Sequence, residues 1–149
     1  MTNSETVRNV LEQKGGDVYW VSPGASVYEA LQLMSSFDVG AVMVVSDGGL
    51  CGVFSERDYA RKVVLAGKSS RETSVGEIMS SPPITVELDR SIEDCLHVMT
   101  KYRVRHLPVV DGGRLAGVLS IGDLVNWTIE RQGEEIQHLN HYITGAYPS

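Results

Sequence analysis

Cysteine is scarce in this chain, and positive charge is outnumbered. Only Cys51 and Cys95 occur in 149 residues. They show no C-x-x-C spacing and no partnered ligand set, so a disulfide scaffold or thiolate centre gives way to two buried small side chains in a reducing compartment. Thirteen Lys and Arg face nineteen Asp and Glu, a formal net charge of −6. A nucleic-acid partner would require a surplus of cations on one face, so none is expected. No apolar run approaches the length of a membrane span, and the N-terminal MTNSETVRNVLEQKGG lacks the apolar core of a signal peptide. The expectation is a cytoplasmic protein that meets no membrane. No Ser-His-Asp or Cys-His set can be assembled, so catalysis has no visible machinery and the chain is expected not to be an enzyme. What is present is an ordinary globular composition, 42% hydrophobic and 21% charged, long enough for one domain or two small halves sharing a core.

The main signal is internal repetition. Shifting the sequence by 65 positions aligns SVYEALQLMSSFDVGAVMVVSDGGLCGVFSERD from Ser26 with SIEDCLHVMTKYRVRHLPVVDGGRLAGVLSIGD from Ser91 without a gap. About a third of the aligned residues are identical, and most others exchange one apolar residue for another, as Leu33 with Val98 and Phe54 with Leu119. Each copy spells the same elements. Ser26 and Ser91 are N-cap candidates with Glu29 and Asp94 three residues on, although Asp94 is shorter than the usual partner of a capping box. Val27, Ala30, Leu31 and Met34, matched by Ile92, Cys95, Leu96 and Met99, recur at helical spacing. A β-branched run (AVMVV or LPVV), a glycine turn and a second apolar run (LCGVF or RLAGVL) follow, which is strand, tight turn, strand. A helix starts near Asp58 or Asp123, and the stretches DVYWVSP and PPITVELD supply a first strand.

The fold expected is α+β, with two repeats of strand-helix-strand-strand-helix packed sheet to sheet about a pseudo-twofold, because one half alone cannot cover both faces of its sheet. The organisation is an N-terminal helical segment (1–15), repeat 1 (16–68), a linker holding a short helix near Val75 to Met79 (69–80), repeat 2 (81–130) and a C-terminal helical extension (131–149).

Each repeat ends its last strand in Ser-x-x-Asp, Ser55 to Asp58 and Ser120 to Asp123. A hydroxyl, free N–H groups at a helix start and a carboxylate one turn on suit a ribose phosphate: the N–H groups attract the anion and the carboxylate accepts from vicinal hydroxyls. The same residues also serve as ordinary helix caps, and spacing alone leaves both readings open.

The repeated G-h-x-S-x-x-D, the segment RVRHLPVVD and the helix-strand-strand order together resemble the CBS (cystathionine beta-synthase) domain, and the tandem pair resembles a Bateman module over roughly residues 16 to 130. SERDYARK, HLPVV and EEIQHLNHYITGAY are similar to the stand-alone single-pair proteins of bacteria and plant mitochondria. The resemblance implies a regulatory, signal-transducing module binding adenosine-containing ligands in two clefts shared between the repeats. AMP is the first candidate, with ADP, ATP, NAD and S-adenosylmethionine as others and no metal. Carried onto this sequence, cleft A combines Ser55, Arg57 and Asp58 with Ile84, Arg105 and His106. Cleft B combines Ser120 and Asp123 with Tyr19, Gly40 and Ala41. Arg57 and Arg105 in cleft A favour a phosphate, whereas cleft B has Gly40 and Ala41 where Arg105 and His106 stand, so AMP or ADP is expected in cleft A. Asp58 and Asp123 select ribose. The alternatives are a ligand-independent protein acting on a redox or metabolic enzyme and, further off, a nucleotide-hydrolysing enzyme.

His138 and His141 are spaced to meet on one helical face, but no third ligand is evident and a packed or solvated helix is the preferred reading. His97 is read as a surface or boundary residue. Leu124, Trp127, Ile129, Ile136, Leu139 and Ile143 form an apolar series after Asp123, expected either to build a homodimer, as the resemblance implies, or to fold back on the chain's own core.

Overall fold

The computed structural model describes residues 5–143, with side chains described for 5–133. Its elements run α1 (Val7–Lys14), β1 (Trp20–Val21), α2 (Val27–Phe37), β2 (Ala41–Ser46), β3 (Gly49–Ser55) and α3 (Glu56–Asp58), which continues as a π-helical stretch (Tyr59–Val64). They continue with α4 (Val75–Ile78), β4 (Val86–Glu87), α5 (Ile92–Tyr102), β5 (His106–Asp111), β6 (Arg114–Ser120) and α6 (Ile121–Ile143). Two three-stranded sheets result, β1-β2-β3 and β4-β5-β6, each with a parallel first pair and an antiparallel hairpin.

The 65-residue offset survives into the backbone. The residues bounding α2, β2 and β3 map onto those bounding α5, β5 and β6. Both hairpins carry an irregularity at the equivalent place, between Val44 and Val45 and between Val109 and Val110. Both α2 and α5 end in a left-handed residue, Asp38 (φ 53°) and Arg103 (φ 55°). The caps of α2 and α5 differ. Ser26 Oγ accepts from Glu29 N–H at 3.0 Å while Glu29 Oε1 accepts from Ser26 N–H at 3.0 Å. Ser91 Oγ accepts from Asp94 N–H at 3.0 Å, but Asp94 does not complete the box, although Asp58 does so at the equivalent place after Ser55.

The first strands fall in the expected stretches and are two residues long, the extent of their parallel pairing to β2 and β5. Two expectations need correction. The halves do not share a single core. Val27, Ala30, Val42, Val44 and Phe54 pack in one cluster, and Ile92, Cys95, Leu107, Val109 and Leu119 in another. Strand alternation turns Met43 to the opposite sheet face, where it is also buried, and β3 meets β6 between the sheets. Finally, Cys95 is buried but Cys51 is only half-buried, with Ser46 Oγ 3.0 Å from its sulfur. Burial lifts the Cys95 thiol to about 11, so it is an unreactive core group.

The helices outside the repeats cross over. α1 precedes repeat 1 in sequence but buries Val7, Val10 and Leu11 in the second core. Its start is tied to the second repeat by Val7 N–H to Arg90 C=O (2.9 Å) and Ile92 N–H to Glu5 C=O (3.1 Å). α4 makes the equivalent ties to the first: Val27 N–H to Thr73 C=O (2.9 Å) and Val75 N–H to Ala25 C=O (2.8 Å), with Val75 and Ile78 in the first core. Glycine permits both approaches. A Cβ on Gly52 would lie 2.7 Å from the Ser80 carbonyl oxygen, and one on Gly117 would lie 3.0 Å from Leu11 Cδ1. The glycine of the repeated motif is therefore a packing residue.

Candidate functional site

An open groove of about 880 Å³ runs between the end of β3 and the π-helical stretch on one side and the residues leading into β4 and β5 on the other. Ser55, Arg57, Asp58, Ile84, Arg105 and His106, grouped as cleft A from the sequence, all line it. Gly40, assigned to cleft B, lines this groove as well: its α-carbon sits under the His106 ring, so that an added Cβ would lie 3.3 Å from Cε1.

The groove is electropositive on an acidic chain. Arg57, Arg61, Lys62, Arg103 and Arg105 line it against Glu56 and Asp58, an excess of three positive charges where the whole chain carries −6. Arg57 is oriented by donating from Nη1 to the Arg103 carbonyl at 2.7 Å, a carbonyl available because Arg103 caps α5 in the left-handed conformation. Burial holds His106 below the usual imidazole range; Lys14 and Arg105 push the same way and Asp123 opposes them. His106 is accordingly a neutral donor or acceptor near pH 7.

Asp58 is buried and fully engaged. Its Oδ2 accepts from Ser55 N–H (3.0 Å) and Ser55 Oγ (3.1 Å), while Asp58 N–H donates to Ser55 Oγ (3.2 Å). Its Oδ1 accepts from Ser80 Oγ (2.8 Å) and pairs with Lys62 Nζ (3.1 Å). The capping role left open by the sequence is thus present. A ribose diol would reach Oδ1 only by displacing Ser80 Oγ and Lys62 Nζ, both on exposed residues.

The other Ser-x-x-Asp is built the same way but furnished differently. Ser120 N–H donates to Asp123 Oδ2 (2.8 Å) and Asp123 N–H donates to Ser120 Oγ (3.1 Å). The same Oδ2 pairs with Lys14 Nζ from the end of α1 at 2.5 Å, and Lys14 Nζ also donates to the Val118 carbonyl at 2.6 Å. Tyr19 stacks on Phe37 with ring centroids 4.3 Å apart, and Ala41 pairs with Ser55 in the β2–β3 ladder.

The sequence reading missed Lys62, Ser80, Arg61, Arg103 and Lys14. Lys62 was findable, standing one helical turn beyond Asp58, and Arg103 flanks Arg105 in the same RVR. Lys14 and Ser80 reach their carboxylates only through the crossing of α1 and α4, which no local spacing reports.

The apolar series after Asp123 splits between two faces. Leu124 and Trp127 are buried in the second core, with Trp127 Nε1 donating to Glu5 Oε1 at 2.9 Å. Ile129 is exposed and shares its face with Ile121 and Val125. The side chains of Ile136, Leu139, Ile143, His138 and His141 lie outside the described residues. Among the described residues no group of three His, Cys, Asp or Glu side chains could hold a metal, and no helix is long and apolar enough to cross a membrane.

Two repeats of one sheet-and-helix unit, each ending in a Ser-x-x-Asp corner and meeting at a shared groove, define a tandem module. The CBS domain family model matches residues 7–65 and 75–130, so the chain belongs to the CBS domain family. Both matches begin at the crossing helices. A protein with CBS domains from Burkholderia ambifaria is 44% identical and superposes with a TM-score of 0.83, over 86% of this chain and 96% of that one. The CBS domain-containing protein CBSX3 of Arabidopsis thaliana, named as mitochondrial, is 38% identical over 97% of this chain and 74% of its own length. A more distant CBS domain pair, in complex with 5′-methylthioadenosine and S-adenosyl-L-methionine, shares the fold at 22% identity, with a TM-score of 0.74 over 87% of this chain and 99% of that one. CBS pairs are regulatory modules, and no catalytic family is indicated here.

Proposed function

We propose that this chain is an adenine-nucleotide sensor that takes AMP, or a nucleotide sharing its adenosine monophosphate half, in the groove between its repeats, and passes that occupancy to a partner protein. The observation that carries the reading is the concentration of five Arg and Lys side chains around one groove of a chain with net charge −6. Arg57, already oriented by the Arg103 carbonyl, and the exposed Arg105 would hold the phosphate through charge-assisted bonds. Asp58 would take the ribose diol once Ser80 and Lys62 release Oδ1, and Ile84 would offer the base an apolar contact. That a pair of the same fold is in complex with two adenosine compounds supports this ligand class. ADP, ATP, NAD and S-adenosylmethionine share the adenosine half and compete for the same groove. No reaction is assigned: binding alone regulates, through different affinity for two conformations.

Isothermal titration of nucleotide-stripped protein with AMP, ATP, NAD and S-adenosylmethionine tests this. The expected result is binding of an adenine ligand that Arg105→Ala weakens by about tenfold or more, the equivalent of roughly 1.5–3 kcal/mol for a hydrogen bond to a charged group. Unchanged affinity in Arg105→Ala removes the groove assignment. No binding by any of the four favours a ligand-independent interaction module. That second reading draws on the exposed face of Ile121, Val125 and Ile129 on α6, which also supports a homodimer and is checked by sedimentation of an Ile129→Asp variant. A cytoplasmic location is checked by fractionation, with the mitochondrial Arabidopsis relative as the competing case.

A further inference from the structure

The groove holds more positive charge than one phosphate can use. Lys62 is paired with Asp58, which leaves Arg57, Arg61, Arg103 and Arg105 against Glu56. Among the described residues no carboxylate lies within ion-pair distance of any of these four guanidiniums, although Arg8, Lys14 and Arg131 each hold one elsewhere on the surface. All four are exposed, so an anion in the groove reaches them without unpacking the core. Their placement divides them between two walls. Arg57 and Arg61 stand four residues apart on α3 and the π-helical stretch, where side chains of adjacent turns are neighbours. Arg103 and Arg105 stand on either side of half-buried Val104, between α5 and β5. The bond from Arg57 Nη1 to the Arg103 carbonyl ties one wall to the other.

Phosphate chemistry sets how much of this a ligand can satisfy. A guanidinium binding edge-on engages two oxygens, so two guanidiniums already share the three free oxygens of a phosphate monoester. That phosphate carries about −1.5 to −2 charges near pH 7, less than the excess of three in the groove. A second phosphoryl group supplies both the missing oxygens and the missing charge. S-adenosylmethionine, with a sulfonium in place of a phosphate, supplies neither. We infer that the groove selects a 5′-diphosphate over a monophosphate, with Arg61 and Arg103 as the residues that read the second phosphoryl group. This selectivity rests on the nucleotide reading of the groove given above, in which Arg57 and Arg105 hold the first phosphate. ADP and ATP carry the diphosphate with a free end, whereas NAD carries it as an internal bridge.

The test is isothermal titration of AMP, ADP and NAD, at one fixed salt concentration, into the wild-type chain, Arg61→Gln and Arg103→Asn. Asparagine is chosen at 103 because it tolerates the left-handed backbone there, and it keeps the carbonyl that Arg57 uses. A thermal melt verifies that both variants fold. The expected result is that ADP binds the wild type about tenfold or more tighter than AMP, the yield of one added charge-assisted contact. Each variant should lose most of that advantage while its AMP affinity stays within about threefold of the wild type. NAD binding as tightly as ADP, with the same dependence on Arg61 and Arg103, upholds the inference with the bridging diphosphate as the feature read. ADP binding tighter than NAD upholds it with the free terminal phosphate as that feature. AMP binding as tightly as ADP, or AMP and ADP weakened equally in both variants, overturns the selectivity and leaves the groove reading standing. No binding by any of the three removes the groove reading and the selectivity together.

Discussion

The two halves of the molecule share a backbone and differ in charge. Shifting by 65 residues takes Arg57, Arg61 and Lys62 of the first repeat to Gly122, Asn126 and Trp127, and takes Arg103 and Arg105 of the second back to Asp38 and Gly40. Five cations converge on one corner and none of their equivalents on the other. The duplicated scaffold thus fixes where a carboxylate, a capping serine and a strand end must lie, and leaves the rim free to diverge. The helices after the corners have diverged too: a short turn followed by π-helix in the first repeat, and a 23-residue α-helix in the second.

The largest expected effect breaks the comparison at its shared glycines. Gly52→Ala drives a methyl to 2.7 Å from the Ser80 carbonyl, which cannot retreat because Ser80 and Val53 exchange backbone hydrogen bonds of 2.8 and 3.0 Å. About 3 kcal/mol of destabilisation is expected, against about 1 kcal/mol for Gly117→Ala, whose new neighbours are the mobile methyls of Leu11. Denaturant melts of the two variants measure the gap, and equal losses would contradict the packing role given to Gly52. Next, transplanting the charge sharpens the comparison: Arg105→Ala should cost the groove about tenfold or more in AMP affinity, whereas Arg90→Ala, outside the groove, should leave the titration unchanged.

A smaller effect concerns acidity. His106 is held below its ordinary pKa near 6.5 by burial, with Lys14 and Arg105 adding to the depression and Asp123 opposing it. Above that ordinary value the imidazole is neutral in folded and unfolded chains and contributes nothing. As pH falls through it, the unfolded chain takes up the proton first, and stability is lost until the folded imidazole also titrates. His106→Asn should therefore lose less stability than the wild type between pH 7.5 and pH 5, by about 1 kcal/mol or less. Parallel curves would show that the imidazole is not depressed. Smallest is the cap: Glu29→Ala should cost a few tenths of a kcal/mol more than Asp94→Ala, because only Glu29 completes its box. Paired melts resolve it.

The elements that repeat were legible because period and caps are local. Ser26 and Ser91 announced α2 and α5, and the β-branched runs AVMVV and LPVV announced both hairpins. The groove was legible as far as the family resemblance carried, through Ser55, Arg57, Asp58, Ile84, Arg105 and His106. What stayed hidden is non-local. An amphipathic α1 states that it must cover something, not that it covers the repeat farther away in sequence. Lys14, an ordinary surface lysine by composition, acquires a partner 109 residues on only through that crossing. The split of Leu124 and Trp127 from Ile129 was hidden for a related reason: a helical series of apolar residues does not reveal which of its members another element has already claimed.

The crossing also has a consequence in time. The hydrogen bond from Val7 to Arg90 spans 83 positions, counting 90 less 7, whereas the bond from Val75 to Ala25 spans 50 and joins segments made consecutively. On an emerging polypeptide the first repeat can find its covering helix as soon as α4 appears. α1, made before the first repeat, must wait with Val7, Val10 and Leu11 uncovered until the second hairpin has been synthesised. A helix made before both repeats thus waits for the second of them, and in that interval its apolar stripe needs shelter from other chains.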